Sequence, residues 1–282
     1  MIDWLAEPFT QPFMQRALLA SLMVGLLCSV VGCYVVLRGM AFLGDALAHG
    51  ILPGIAVAYL LDGSLVVGAL VAALVVALGV GVLSRQGTVR EDTAIGILFS
   101  AALSLGVVLI SSIRSYAVDL NHILFGDVLS VGASDLWLTA GLGLVVLLAV
   151  LFMYRALMVY SFDPVFASTL GVRTELLRMT LLVLLALTIV VSLRTVGVGL
   201  VAAMLVTPAA TAYLLVRRLA PMMLVAAGVG LASSLIGLYV SYYANVSSGA
   251  AIVLTATVLF FGVFLFSPRH GLVRRLTSGG KS

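Results

Sequence analysis

Charge is what this chain has least of. Of its 282 residues only 9% are Asp, Glu, Lys or Arg, against 63% hydrophobic. A soluble domain carries about 25% charged residues, so a water-surrounded globular fold is excluded. Lysine is scarcer still: Lys281 stands alone, and no G-x-x-x-x-G-K-[ST] occurs. Without a phosphate-binding P-loop the chain does not use ATP by that route. H-E-x-x-H and G-x-S-x-G are also missing, which removes membrane metalloprotease and serine-hydrolase chemistry. Cysteine is limited to Cys28 and Cys33 in the first apolar segment. Their five-residue spacing aligns them poorly for a bridge on a helix, so they read as small packing residues. No cleavable signal peptide is expected, because the N-terminus opens on acidic and aromatic residues and the apolar stretch that follows is too long.

What fills the chain is long apolar runs, at 15–37, 41–61, 64–84, 93–112, 133–154, 176–193, 195–216, 221–243 and 249–267. Most approach the roughly 20 residues that a spanning helix needs. The expected fold is therefore all-α, a polytopic helical membrane protein of about nine spans in a single transmembrane domain over 1–282. The runs 176–193 and 195–216 are separated by little more than Arg194, and a re-entrant break there would reduce the count to eight. Basic residues set the orientation. With the N-terminus outside, Arg38, Arg85, Arg90, Arg155, Arg173, Arg178, Arg217 and Arg218 all fall in cytoplasmic loops, and Arg269, Arg274, Arg275 and Lys281 in a cytoplasmic tail, 268–282. That N-out, C-in arrangement satisfies the positive-inside rule, and it also explains the net charge of +4 without nucleic acid. The segment Ser115 to Gly132, with Asp119, Asn121, His122 and Asp127, is too polar to span. It reads as an outer loop with a short amphipathic helix, either a docking surface or a plain interfacial connector. His122 and His270 cluster with no other ligand and read as solvated.

Against this background Asp45 and His49 stand out. They lie one helical turn apart in an apolar stretch, where an ionisable side chain is expensive and is expected to face a cavity, a partner or an ion. The i, i+4 spacing places both on one helix face. A carboxylate oxygen with an imidazole nitrogen suits a divalent first-row metal, although zinc wants about four donors and manganese about six. Gly44, Gly50, Pro53 and Gly54 make the helix easy to interrupt, and ion sites form at such breaks. The competing reading makes Asp45 the cap of a helix N-terminus near the cytoplasmic interface, with His49 merely hydrogen-bonded to a neighbouring span. No second mid-span aspartate is present to form an acid dyad.

Two further places carry expectations. Thr207-Pro208 interrupts the run Leu200 to Ala212, and with Met204 it reads either as a kink lining a pathway or as an ordinary transmembrane proline kink. On the cytoplasmic side, Asp163 suits an N-cap, Pro164 the first helical position and Gly171 a C′ position, framing a helix of about two turns. Phe162, Val165, Phe166 and Leu170 would give it an apolar surface for lipid or for a partner groove.

The run Arg38-Gly39-Met40-Ala41-Phe42-Leu43-Gly44-Asp45-Ala46-Leu47-Ala48-His49 resembles the membrane permease of the zinc/manganese-type ABC importers. So do Glu91-Asp92-Thr93-Ala94-Ile95-Gly96-Ile97, Leu124-Phe125-Gly126, Asp163-Pro164 through Gly171-Val172, and Leu205-Val206-Thr207-Pro208-Ala209-Ala210. The resemblance is close to full length. It implies a multi-pass permease of the bacterial inner (plasma) membrane, working as a homodimer with a cytoplasmic ATP-binding subunit and an extracytoplasmic metal-binding protein. It implies that Asp45 and His49 handle the transported metal, manganese or zinc with iron as a further candidate, and that no cofactor is permanently bound. It implies, too, that 158–175 is the coupling loop, with Asp163, Pro164, Phe166, Leu170 and Gly171 gripped by the ATPase. Leu52-Pro53-Gly54 looks more like the manganese/iron branch than the zinc branch. On this reading the chain is a transport subunit and not an enzyme, and ATP is hydrolysed elsewhere. The rivals are a proton-coupled secondary metal transporter and an intramembrane enzyme that uses Asp45 and His49 as acid and base.

Overall fold

The computed structural model describes residues 11–85, 89–112 and 131–266, main chain only at Arg194. Most of Ser115–Gly132, His122 and the tail with His270 lie outside the described residues. Regular structure among the described residues is entirely helical: α1 (Pro12–Leu37), α2 (Ala41–Gly50), α3 (Leu52–Leu60), α4 (Leu65–Leu83), α5 (Glu91–Ser111), α6 (Ala133–Phe152), α7 (Tyr154–Phe162), α8 (Pro164–Thr169), α9 (Thr174–Val196), α10 (Val198–Leu215), α11 (Leu219–Ala244) and α12 (Ser248–Phe266). Nine stretches within these are long and apolar enough to cross a membrane, with α2 and α3 together forming one of them, Ala41–Leu60. The doubtful boundary resolves into two helices. Gly197, at φ +80°, separates α9 from α10, and its N–H still bonds to Leu193 O at 2.9 Å. A side chain is strained in that left-handed conformation, so the break falls on the residue that tolerates it.

The helices pack in two groups. One is α1 with α10, α11 and α12; the other is α2 and α3 with α4 and α5. They are joined by α9, which touches α1, α2, α4 and α6, and by the contact of α10 with α2. Leu27, Leu43, Leu47, Leu181, Leu185, Val201 and Leu205 are among the side chains closed off in this core. Val71, Val75, Leu148, Leu254 and Val258 point outward, as lipid-facing residues should. Both cysteines are buried and free, with Cys28 Sγ 3.5 Å from Ser192 Oγ.

Because lipid is as apolar as leucine, helix association here depends on close backbone approach. Two glycines show it. A Cβ on Gly54 would collide with the Gly68 carbonyl, and one on Gly68 with the Gly54 carbonyl, so α3 and α4 meet backbone to backbone. Gly141 has open space around it. Gly54→Ala should therefore destabilise the purified protein by about 1–3 kcal/mol, the range for overpacking. Gly141→Ala should leave the midpoint of thermal unfolding in detergent in place. Equal midpoints for the two variants would count against this contact.

Candidate functional site

α2 begins after a forced turn. Arg38 ends α1, Gly39 takes φ +70°, and Met40 caps α2 without a side-chain bond. Asp45 is thus the fifth residue of α2 and caps nothing, which removes the competing reading of it. Successive residues on one face of this helix are Phe42, Asp45 and His49, and that face is open: the Asp45 side chain is 43% exposed and His49 31%. The opposite face, with Leu43, Gly44, Leu47 and Ala48, is buried.

Within the pair, His49 Nδ1 lies 3.1 Å from the Asp45 carbonyl and 3.4 Å from Asp45 Oδ1. An imidazole that donates from Nδ1 to a carbonyl carries its lone pair on Nε2, the form in which histidine ligates metals. The His49 ring also meets the edge of Phe99 on α5, centroids 5.9 Å apart at 83°, and Phe99 meets Phe42 in the same way at 5.9 Å and 79°. Phe99 is therefore an aromatic wall that holds the imidazole in place. Below His49 the helix is interrupted. Pro53 has no N–H to return to the His49 carbonyl four residues back, and the Ile51 N–H turns to that oxygen instead. Among the described residues no group of three or more His, Cys, Asp or Glu converges anywhere. The pair supplies two donors on an open face, and the remaining ligands must come from elsewhere.

The second candidate group is arranged differently. α10 packs on α2 through Leu205, whose Cδ2 lies 2.8 Å from where a Gly44 Cβ would stand. Met204, one position round the helix, is 1% exposed, and its Cε lies 3.2 Å from the corresponding point at Gly25 on α1. Pro208 is buried inside α10, Thr207 is partly exposed, and the Thr207 carbonyl accepts a bond from Thr211 Oγ1 at 2.8 Å. Among the described residues no hydrogen bond or ion pair joins Met204, Thr207 or Pro208 to Asp45 or His49. Leu205 is an α10 side chain that reaches the site helix, at Gly44.

The short helix α8 is built as its capping residues require. Asp163 Oδ1 accepts the Phe166 N–H at 2.9 Å, and Pro164 opens the helix. Gly171 takes φ +75° while its N–H bonds to Ser168 O and the Val172 N–H to Ala167 O, the paired bonds of a Schellman end. Val165 (73% exposed), Phe166, Leu170 and Phe162 form an apolar patch on this connector. A surface depression lined by Tyr154, Met158, Phe162, Arg217 and Arg218 adjoins the patch at Phe162.

Sequence comparison bears directly on these features. The model of the ABC 3 transport family matches residues 10–267. The manganese transport system membrane protein MntC of Halalkalibacterium halodurans is 47% identical over 270 residues, covering 96% of this chain and 92% of the relative. The manganese import system permease protein ScaB of Streptococcus parasanguinis is 42% identical over 258 residues, 92% of each chain. Among solved structures, a chain of PsaBC from Streptococcus pneumoniae in complex with Fab superposes with a TM-score of 0.86 at 37% identity, covering 99% of this chain and 100% of that one. With nine apolar spans among the described residues and a match across nearly its whole length, the chain belongs to the ABC 3 transport family and is a multi-pass membrane permease of that family.

Proposed function

We propose that this protein is the permease subunit of an ATP-driven importer of a divalent first-row metal, manganese in the first instance, in a bacterial plasma membrane. The observation that carries the reading is the Asp45–His49 pair: a carboxylate and an imidazole free at Nε2, both partly open, at the start of an interrupted span. The names of the relatives, which describe manganese transport and import, support the choice of ion. Zinc would bind a nitrogen/oxygen site more tightly than manganese, so selection falls to geometry and to the protein that delivers the ion. Two donors from each chain leave the site open to exchange, and a site that binds too tightly does not release. A second copy of the permease facing the open side of α2 would add donors and close the pathway.

ATP hydrolysis belongs to a separate cytoplasmic subunit, because this sequence has no P-loop. The α8 patch, with the arginines beside it, is the surface offered to that subunit. An extracytoplasmic binding protein would deliver the ion to the outer face. In this mechanism ATP-driven closure moves α8, the bundle switches from outward to inward, and Asp45 and His49 hold the metal during passage. A deletion strain complemented with the gene tests the reading: it should regain manganese accumulation, with an excess of zinc competing. Restored growth that depends on zinc alone would overturn the choice of ion.

Phe99 gives a graded test of the site. Phe99→Ala leaves the ligands in place but frees the His49 ring, and should raise the manganese concentration for half-maximal uptake about tenfold, the scale seen when a ligand loses its orienting partner. An unchanged half-maximal concentration would remove Phe99 from the site.

A further inference from the structure

Arg38, Glu91 and Tyr160 come from three distant parts of the chain and meet where the C-terminal end of α1 and the start of α5 reach α7. The Arg38 guanidinium lies over the Tyr160 ring, 4.5 Å from its centroid, and its Nη2 is 3.8 Å from Glu91 Oε2. All three are largely shielded: the Arg38 and Glu91 side chains are 17% and 21% exposed, and Tyr160 2%. Burial pushes the Tyr160 phenol up from its ordinary value, so it is neutral and presents its ring face to the cation. The contacts are nevertheless loose. Arg38 makes no side-chain hydrogen bond among the described residues, and Arg38 Nε, Glu91 Oε1 and the Tyr160 hydroxyl are buried without a partner there. Nearby Arg178, whose Nε also lacks a partner among the described residues, is tied down by its other two nitrogens. It bonds to Ser84 Oγ at 2.8 Å, to Glu175 Oε1 at 3.1 Å and to the Gly81 carbonyl, clamping α9 to the end of α4.

The position of each residue matters more than the pair energy. Tyr160 sits three residues before Asp163, on the helix that runs into α8. Arg38 is two residues from Met40, the cap of the helix that bears Asp45 and His49. Glu91 starts α5, two turns before Phe99, whose ring braces His49. A cation held only by a ring face and a 3.8 Å ion pair, with no short hydrogen bond, can shift between its two partners at little cost. A planar, always-charged guanidinium between a carboxylate and an aromatic face is also suited to sliding between the two without being exposed.

We infer that Arg38, held between Glu91 and Tyr160, is the positioning residue that links movement of α7 and α8 to the helices carrying Asp45, His49 and Phe99. This rests on the transport reading above. The test is the purified permease reconstituted in liposomes with its ATP-binding subunit and binding protein, measuring manganese uptake and ATP hydrolysis together. In Arg38→Gln and Tyr160→Leu, uptake per ATP should fall about tenfold, within the range for residues that carry coupling. Hydrolysis without manganese, and manganese affinity of the detergent-solubilised permease, should stay as in the wild type. Tyr160→Phe should keep coupling, because it keeps the ring. Should Arg38→Gln fail to assemble, the Tyr160→Leu and Tyr160→Phe pair decides alone. Normal uptake per ATP in Tyr160→Leu, or a loss of manganese affinity matching the loss of uptake, would overturn the inference. The wild-type arm separates the two levels: no ATP-dependent uptake there defeats the transport reading and this inference with it, whereas failure in the variants alone defeats only the inference.

Discussion

Asp45→Ala and His49→Ala should each reduce manganese uptake by at least about 100-fold, with the protein still folded and still in the membrane. Outer partners of a metal ligand are worth up to about 100-fold in affinity or activity, and a ligand itself at least as much. Stability should hardly suffer. Both side chains lie on the open face of α2, and their mutual contact is an i, i+4 pair worth a few tenths of a kcal/mol. Removing Asp45 also takes a charge out of the bilayer, which favours the fold. Asp45→Asn keeps an oxygen ligand without its charge and should fall between wild type and alanine. Metal accumulation in cells, with immunoblotted membranes as the control for expression, checks this. Uptake within twofold of wild type in both alanine variants would show that the ion takes another route.

The second large effect is expected at α8. Val165 and Phe166 are exposed and make little contribution to the fold, so Val165→Glu with Phe166→Glu should leave the bundle intact. Placing two carboxylates in an apolar interface centre should weaken association with the ATP-binding subunit by at least about 100-fold, the loss typical of central anchor residues. Co-purification from membranes is the measurement, and undiminished recovery of the partner would mean that it grips another surface. Asp163→Ala should act more mildly. It removes the bond to the Phe166 N–H and costs the short helix about 1 kcal/mol.

The helical count, the Asp45–His49 pair and the frame of α8 were all readable from residues alone, for one reason. In lipid each span needs its length in apolar residues, an ionised side chain is conspicuous, and helix ends need specific caps. Side-chain direction within the spans was not readable. α10 is apolar along most of its length, so nothing in its sequence told that Leu205 would pack against Gly44 of α2. The Arg38–Glu91–Tyr160 cluster was hidden for a different reason. Arg38 read as a loop charge and Glu91 as part of a family-like run, and only the fold brings the end of α1 and the start of α5 to Tyr160 on α7. Phe99 left a faint trace, standing two turns beyond Glu91 on a helix whose partner face was unknown.

The central claim is that metal entry through this chain depends on Asp45 and His49 and is driven by ATP. Liposomes containing the permease and its ATP-binding subunit, supplied with the binding protein and radiolabelled manganese, test both halves at once. Expected is accumulation that needs hydrolysable ATP, survives a proton uncoupler, and disappears in Asp45→Ala and His49→Ala. Accumulation that continues without ATP and collapses with the uncoupler, or that persists in both variants, would contradict it.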